Sequence, residues 1–390
     1  GGIKLDDIDY IAFGYDTFFN VMRSNLIGKF TGLFQRVATE KLVKKPSSRI
    51  IPISPFFTGI RYAINHYEGL FKLPFDFRDK RVHFVRHHMA HAASCYLVSP
   101  FKEACIISAD GGGGQEAGIL AVGKNDQITI LKTIPNNHSL GYLYSTFTDL
   151  LGFEPHDGEG KVMGLAAYGN KNKGILPFVS FKDGILRIDH WGMNRFIASQ
   201  IKNLSKDPLD KVNCDLAASL QKTIEEAYMY MADYLYKTTG IKNFCLSGGV
   251  SLNCLANTKV LNLCFVDDAY VQPASSDAGT ALGAAVYLYT QLKGKRPGFV
   301  MDNAYYGPYF SNEQIEKALL KAEVIYYKKM QNTTKIVAKL LTEGNIIGWF
   351  QGRMEFGPRA LGNRSILADP SNPKILITVK GLGYKLIGKE

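Results

Sequence analysis

Apolar positions along the chain switch between two periods, and the switches lay out an alternation of strands and helices. Short apolar runs at 82–85, 105–110, 117–122, 128–134, 243–246, 266–271 and 346–350 read as strands. The three at 105–134 follow one another across a glycine-rich turn and resemble a β-meander. Between 209 and 240 the residues Val212, Leu216, Ala217, Leu220, Ile224, Ala227, Met231, Tyr234 and Leu235 recur with a helical period, which predicts one long helix packed on a core. Further helices are expected near 18–34 and 58–70, from Ser139 as N-cap to 148, and at 278–289, 311–321 and 333–343. Residues 1–13 read as a short helix-like or loop segment running into a strand. With no initiator Met and a buried strand so close to the start, earlier strands are expected to be missing.

Length changes this picture by implying more than one core, because 390 residues exceed the usual size of a single one. Around 292–303 Lys, Gly and Pro replace apolar residues, so we place a linker at 293–303 between a domain over 1–292 and a second over 304–390. With 46% hydrophobic and 21% charged residues the chain can bury a substantial core. It carries 46 Lys+Arg against 35 Asp+Glu, a net charge of +11, which favours anionic partners such as nucleotides or phosphorylated metabolites. The cations are dispersed, in runs such as 41–45 and 293–296 that read as solvated faces or linkers, so charge alone does not argue for nucleic acid. Six cysteines without a CxxC pair read as reduced core residues. No leader pattern and no apolar run near the ~20 residues of a membrane span is present, so a cytoplasmic protein without a membrane partner is expected.

Candidate chemistry gathers at a few points. His87 and His91 stand four residues apart in a run of small helix formers, so on a helix both imidazoles leave one face. Asp110 ends an apolar strand and precedes four glycines, and Asp277 lies in a second loop after apolar residues. Two His and two Asp suit a divalent ion such as Fe(II), Mn(II) or Zn(II) with positions open to substrate. A core histidine beside a solvated one fits the same spacing. The loop 153–169 crowds His156, Glu154, Asp157, Glu159 and Lys161 among glycines, a set costly to bury without a ligand. Gly248 and Gly249 follow a strand and precede a helix expected to begin near Ser251, an arrangement that presents amides to an anion. Arg353, Arg359 and Arg364, held among glycines and a proline, form forked donors for phosphate or carboxylate, or else a surface ion-pair cluster.

Taken in order, His87-His88-Met89-Ala90-His91, Asp110-Gly111-Gly112-Gly113, Ser139-Leu140-Gly141 through Gly169, Leu246-Ser247-Gly248-Gly249, Ser275-Ser276-Asp277-Ala278-Gly279 and the stretch from Gly352 to Ser365 resemble the NodU/CmcH family of O-carbamoyltransferases. The resemblance covers residues 1 to about 373. It implies an α/β fold: an actin-like (ASKHA) duplicated domain followed by a partial YrdC-like α/β domain. It also implies formation of carbamoyl-adenylate from carbamoyl phosphate and ATP with Mg²⁺, then transfer of the carbamoyl group to a hydroxyl of a sugar, antibiotic or related metabolite. Metal ligands at His87, His91, Asp110 and Asp277, with Fe(II) as the ion, follow from it. So do nucleotide contacts from Gly112, Gly113, Gly248, Gly249 and Asn253, and contacts of Arg353, Arg359 and Arg364 to carbamoyl phosphate or the ATP phosphates. We group His87, His91, Glu159 and Lys161 as candidate catalytic residues, and a homo-oligomer is compatible with all of this. Against the family pattern, the chain would begin after a first strand and a His-containing loop, and depart after Asn372, leaving the second domain partial. Two alternatives stand beside this reading: a non-catalytic nucleotide-binding remnant, and threonylcarbamoyl transfer to tRNA, against which the 352–365 stretch argues.

Overall fold

The computed structural model describes residues 8–14 and 81–371, apart from 115, 171, 324 and 325. The helices expected at 18–34 and 58–70, and the departure after Asn372, lie outside the described residues. The chain divides into two compact units, Gly1–Met301 and Asp302–Glu390.

In the first unit, β1 (Ile11–Phe13) pairs in parallel with β2 (Val82–Phe84), and α1 (His87–Tyr96) follows directly. Then come β3 (Glu103–Ala109), β4 (Glu116–Lys124) and β5 (Gln127–Pro135), the expected antiparallel meander. After a 3₁₀ turn, Asn136–His138, lie α2 (Leu140–Leu150), α3 (Glu159–Ala166), the hairpin β6 (Val179–Lys182) and β7 (Ile185–Ile188), α4 (His190–Gln200) and α5 (Lys211–Thr239). The unit closes with β8 (Asn243–Ser247), α6 (Cys254–Leu261), β9 (Asp268–Val271) and α7 (Thr280–Lys293).

One mixed sheet, ordered β5-β4-β3-β8-β9, organises these elements. Its parallel strands β3, β8 and β9 meet the antiparallel meander at β3. Strand β3 is buried on both faces from Ala104 to Ala109 and is apolar there except at Ser108, whereas edge strand β5 alternates toward solvent. Cys105, Ile107 and Ala109 join the large cluster built on α5, while the alternate face, at Ser108, meets His88 of α1. Helix α5 buries the predicted stripe of Leu216, Ala217, Leu220, Ile224, Ala227, Met231 and Leu235. Asp210 caps its start, and Gly240, at φ 70°, ends it in the left-handed conformation that glycine adopts without a Cβ penalty.

Two differences from the expected elements have physical causes. The helix expected near Ser251 begins at Cys254, because Gly249–Leu252 forms a 3₁₀ turn and Asn253 supplies the cap by accepting the Ala256 amide. The run 293–296, expected as a solvated linker, includes Arg296, whose guanidinium pairs with Asp126, donates to the Phe101 carbonyl at 2.9 Å and stacks 4.7 Å over the Tyr96 ring. Arg296 thereby covers the carbonyl end of α1, the place where a cation is favoured. Arg296→Ala is expected to lower stability by about 2 kcal/mol, the scale of hydrogen bonds to charged groups, in a denaturant titration. An unchanged midpoint would show the clamp to be idle.

In the second unit, α8 (Asn312–Lys321) opens with a capping box between Ser311 and Gln314, and α9 (Thr333–Thr342) follows. Strands β10 (Ile347–Phe350) and β11 (Arg364–Leu367) pair antiparallel. Among its described residues only Ala304, Val337 and Glu355 are buried.

All six cysteines are free; Cys95, Cys105, Cys214 and Cys245 are buried as expected, whereas Cys254 and Cys264 are exposed. Among the described residues no helix is long and apolar enough to cross a membrane.

Candidate metal centre

Helix α1 starts within two residues of β2 and packs against β3, β8 and α7, so its buried face is fixed before any ligand arrives. From that face His87 and His91 turn their Nε2 atoms toward each other, 3.1 Å apart. Asp110, carried to the same point by the end of β3, places Oδ2 3.1 Å from His91 Nε2 and 3.8 Å from His87 Nε2. Asp277, on the loop before α7, brings Oδ1 to 3.5 Å from His87 and 3.6 Å from His91. The four donor atoms all lie within 4.8 Å of one another. The structure thus brings together all four residues named as metal ligands from the sequence.

The donor set fits a divalent cation. Bonds of about 2.1 Å require donors within about 4.2 Å of each other, close to what is found. Two carboxylates this near would repel unless a positive charge lay between them. The tautomer of His87 fits as well: its Nδ1 lies 3.0 Å from the Gly14 carbonyl, so Nδ1 carries the proton and Nε2 keeps a lone pair for a ligand bond. His88, between the two, is a core histidine instead. Its Nδ1 meets Ser108 Oγ at 3.0 Å and its Nε2 meets the Glu116 carbonyl at 3.1 Å, and burial, with His87 and His91 nearby, keeps it neutral.

The charges of the cluster are strongly linked. Burial alone would lower the His91 pKa, but Asp110 and Asp277 raise it to about 9. Burial would raise that of Asp110, yet His87 and His91 hold it well below the usual carboxylate range. Without metal, His91 is therefore a cation at neutral pH. A folded pKa above the unfolded one stabilises the metal-free chain fully below about pH 6.5, and that stabilisation is lost as pH rises through about 9. Metal must displace the same proton, so affinity for a divalent ion is expected to rise about tenfold per pH unit up to about pH 9, with proton release near one per ion at neutral pH. Calorimetric titration in buffers of different ionisation enthalpy measures that release; a pH-independent affinity with none would contradict it.

Glycines clear the space around these ligands. A Cβ on Gly113 would stand 2.0 Å from His87 Cδ2, and one on Gly249 2.8 Å from Asp110 Oδ1. Gly248, at φ 84°, passes so close to the Ala109 carbonyl that a Cβ would lie 2.2 Å from it. Gly112 faces Tyr142. Asn253, named for nucleotide contact, spends its side chain on the cap and on a reciprocal pair with Gln221 of α5, at 2.8 and 3.0 Å.

Other named residues have different surroundings. Glu159 Oε1 accepts from Ser145 Oγ at 2.6 Å and from the His156 amide at 2.8 Å, and none of its described hydrogen bonds reaches the His/Asp cluster. Lys161 is half-buried on the same helix. In the second unit, Arg364 donates to Glu355 Oε2 at 2.8 Å and to the Gly357 carbonyl at 2.7 Å, and Arg353 donates to the carbonyls of Gly307 and Tyr306. Arg364 thus braces its own loop around buried Glu355, while Arg353 ties that loop to residues 306–307. Burial would raise the Glu355 pKa, but the Leu361 amide, Arg364 and the Asn363 amide hold it at about 2. Arg359 is exposed.

The sequence reading missed several supports. Arg86 forms a bidentate pair with buried Glu116, at 2.6 and 2.7 Å. The Glu116 carbonyl takes the Gly113 amide at 2.8 Å as well as His88, which pins the glycine turn against His87. A lone carboxylate opening an apolar strand was the available signal. Ser139, beyond its capping role, donates to the carbonyls of Asp110 and Gly111.

The family model described as Carbamoyltransferase N-terminus matches residues 72–286, more than half of the chain, and that described as Carbamoyltransferase C-terminus matches residues 338–381. The second match runs past Asn372, so the family pattern continues beyond the point at which the sequence reading ended it. Nodulation protein NolNO of Sinorhizobium fredii is 34% identical over 380 residues, 95% of this chain and 52% of that protein. The 3'-hydroxymethylcephem-O-carbamoyltransferase of Streptomyces clavuligerus is 27% identical over 250 residues, 62% of this chain and 46% of that protein. The chain spans about half the length of the curated relatives it matches. Full-length HypF in its phosphate- and nucleotide-bound form aligns with a TM-score of 0.42 at 16% identity, covering 63% of this chain and 51% of that one. By its family match and its relatives alike, the chain belongs to the carbamoyltransferase family.

Proposed function

We propose that the protein takes part in O-carbamoyl transfer: a carbamoyl group activated with ATP and Mg²⁺ as carbamoyl-adenylate, from carbamoyl phosphate, passes to a hydroxyl of a sugar, antibiotic or related metabolite. The observation that carries this reading is the convergence of His87, His91, Asp110 and Asp277 in a chain of this family. These four would hold a divalent ion, for which we propose Fe(II). When bound, such an ion supplies a positive charge that polarises a carbonyl oxygen and stabilises the negative charge developing on it.

The chain's own residues set the conditions for that chemistry. His87 and His91 are fixed by α1, and His87 is further oriented through Nδ1 by the Gly14 carbonyl, so little reorganisation is needed. Gly113 and Gly249 leave room for the side chains of His87 and Asp110, and Gly112, Gly113, Gly248 and Gly249 are proposed to offer their backbone to a nucleotide. In the transfer step the acceptor oxygen bonds to the carbamoyl carbon, the bond from that carbon to the AMP oxygen breaks, and the hydroxyl proton leaves to solvent or a base. Glu159, already held by Ser145 and His156, and Lys161 are proposed to line the acceptor side. We assign the actin-like part to 1–292 and the YrdC-like part, with Arg353, Arg359 and Arg364 toward phosphate groups, to 304–390. The requirement for ATP and the free cysteines support a cytoplasmic setting.

The test uses the full chain, loaded anaerobically with iron and given ATP, Mg²⁺, carbon-labelled carbamoyl phosphate and a panel of hydroxyl acceptors. Labelled carbamoyl ester together with AMP and pyrophosphate is the expected result. Nucleotide binding with neither AMP nor ester formed would favour the non-catalytic alternative, and tight salt-sensitive tRNA binding would favour threonylcarbamoyl transfer.

A further inference from the structure

The elements that carry the Arg86–Glu116 ion pair do not account for it. Arg86 stands at the N-cap of α1, where a guanidinium has no acceptor to offer the free amides and makes no cap bond. A cation at this end of a helix also works against the helix dipole. Glu116 opens β4 with its carboxylate buried, while the Arg86 side chain is 37% exposed. Burying a carboxylate for such a pair costs solvation that the attraction need not return, and an apolar pair of similar size often serves stability as well. What the pair adds is geometry. Nε donates to Oε1 at 2.7 Å and Nη2 to Oε2 at 2.6 Å, so two parallel bonds fix both the distance and the angle between the segments that carry them.

Each of those segments is joined to a metal donor. Arg86 is bonded in the chain to His87. Ala117, the neighbour of Glu116, accepts the Asp110 amide at 2.9 Å, and the Glu116 carbonyl accepts the Gly113 amide at 2.8 Å, so the turn from Asp110 moves with Glu116. The Glu116 carbonyl also meets His88 Nε2 at 3.1 Å, a second tie between the turn and α1. On the inner side Gly113 lies so close to the His87 ring that a Cβ would stand 2.0 Å from it. Contact with Gly113 therefore stops His87 from coming nearer, and the tie to Glu116 stops the turn from moving away. Between these limits His87 Nε2 stands 3.8 Å from Asp110 Oδ2. Two bonds of about 2.1 Å to one ion span at most about 4.2 Å, so little outward movement is tolerable.

We propose that Arg86 and Glu116 are a positioning pair for the metal centre: by clamping the start of α1 to the glycine turn they hold His87 and Asp110 at the spacing that one divalent ion requires. Neither residue is a ligand; each acts through its neighbour in the chain. The inference rests on the metal centre proposed above, and it does not depend on which group that centre transfers.

The test titrates Co(II) into the metal-free full chain and follows visible absorption, with Arg86→Lys, Arg86→Met, Glu116→Gln and the double variant Arg86→Met/Glu116→Gln alongside. Loss of an outer partner at a metal site costs about 10–100-fold in affinity, and a partner that acts through the backbone belongs at the low end. Arg86→Met and Glu116→Gln are therefore each expected to weaken Co(II) binding about tenfold and to shift its absorption bands. The double variant should lose about the same tenfold, because the two residues act as one clamp. Arg86→Lys keeps the charge without the fork and should recover only part of the affinity. The Lys and Gln variants preserve bulk, so they decide the matter if Arg86→Met does not fold. Folded variants with wild-type affinity and spectrum, changed only in thermal stability, would overturn the proposal, and so would losses that multiply in the double variant. A wild type that binds no Co(II) would sink the metal centre itself and this inference with it.

Discussion

His91→Ala is expected to lower affinity for a divalent ion by at least about 100-fold, since even outer-shell changes at metal sites cost 10–100-fold and His91 is a direct donor. The variant also removes the imidazole that neutralises Asp110 and Asp277 in the metal-free state, so its two carboxylates face each other with only His87 between them. A Co(II) titration followed by visible absorption measures the loss. His88→Ala is the matched control: it strips Ser108 Oγ and the Glu116 carbonyl of a buried partner and should destabilise the fold, while the folded fraction keeps its metal affinity. Wild-type affinity in His91→Ala would mean that the imidazole pair is not the ligand set.

The second large effect is expected from a residue with no polar chemistry. Helix α7 crosses α1 so closely that a Cβ on Gly283 would lie 1.8 Å from the Ala90 carbonyl oxygen and 3.0 Å from Ser94 Cβ. The obstruction is backbone, which cannot rotate away. Gly283→Ala is therefore expected to cost about 3 kcal/mol, the upper range for overpacking. Because Ala90 sits between His87 and His91, and Asp277 lies just before α7, separating the helices pulls the ligands apart. Thermal unfolding and metal titration on the same variant should show both losses. Full retention of stability and affinity would mean that the helices can part without disturbing the site.

How much of this was legible in the sequence depended on the range over which each signal acts. The stripe along α5, the meander around the glycine run and the Ser139 cap are set by neighbours a few residues away, and they were readable. The pairing of His87 with His91 on one helix face was also readable from their spacing, and the structure brings Asp110 and Asp277, each after an apolar run, to the same point. Contacts between distant segments left no local trace: the Gly14 carbonyl on His87, Gly283 against Ala90, and Arg296 on Asp126 and Tyr96 all join residues far apart in sequence. The late start of α6 shows one signal overriding another. Ser251 and Asn253 are both capping residues, and the pairing of Asn253 with Gln221 of α5, a tertiary contact, decided between them. The arginines at 353 and 364 had two readings, donors for an anion or an ion-pair cluster. Arg364 pairs with buried Glu355, which also takes the Leu361 and Asn363 amides, whereas Arg353 reaches the carbonyls of Gly307 and Tyr306, and neither set of partners could be seen from spacing alone.

The central claim is that four side chains from α1, the end of β3 and the loop before α7 form one metal centre. X-ray absorption at the metal edge of the anaerobically purified protein tests it most directly. The account predicts about one ion per chain in a shell of nitrogen and oxygen only, with the outer scattering of two imidazoles. A chain that holds no ion, or one whose shell contains sulfur or lacks imidazole, would contradict it.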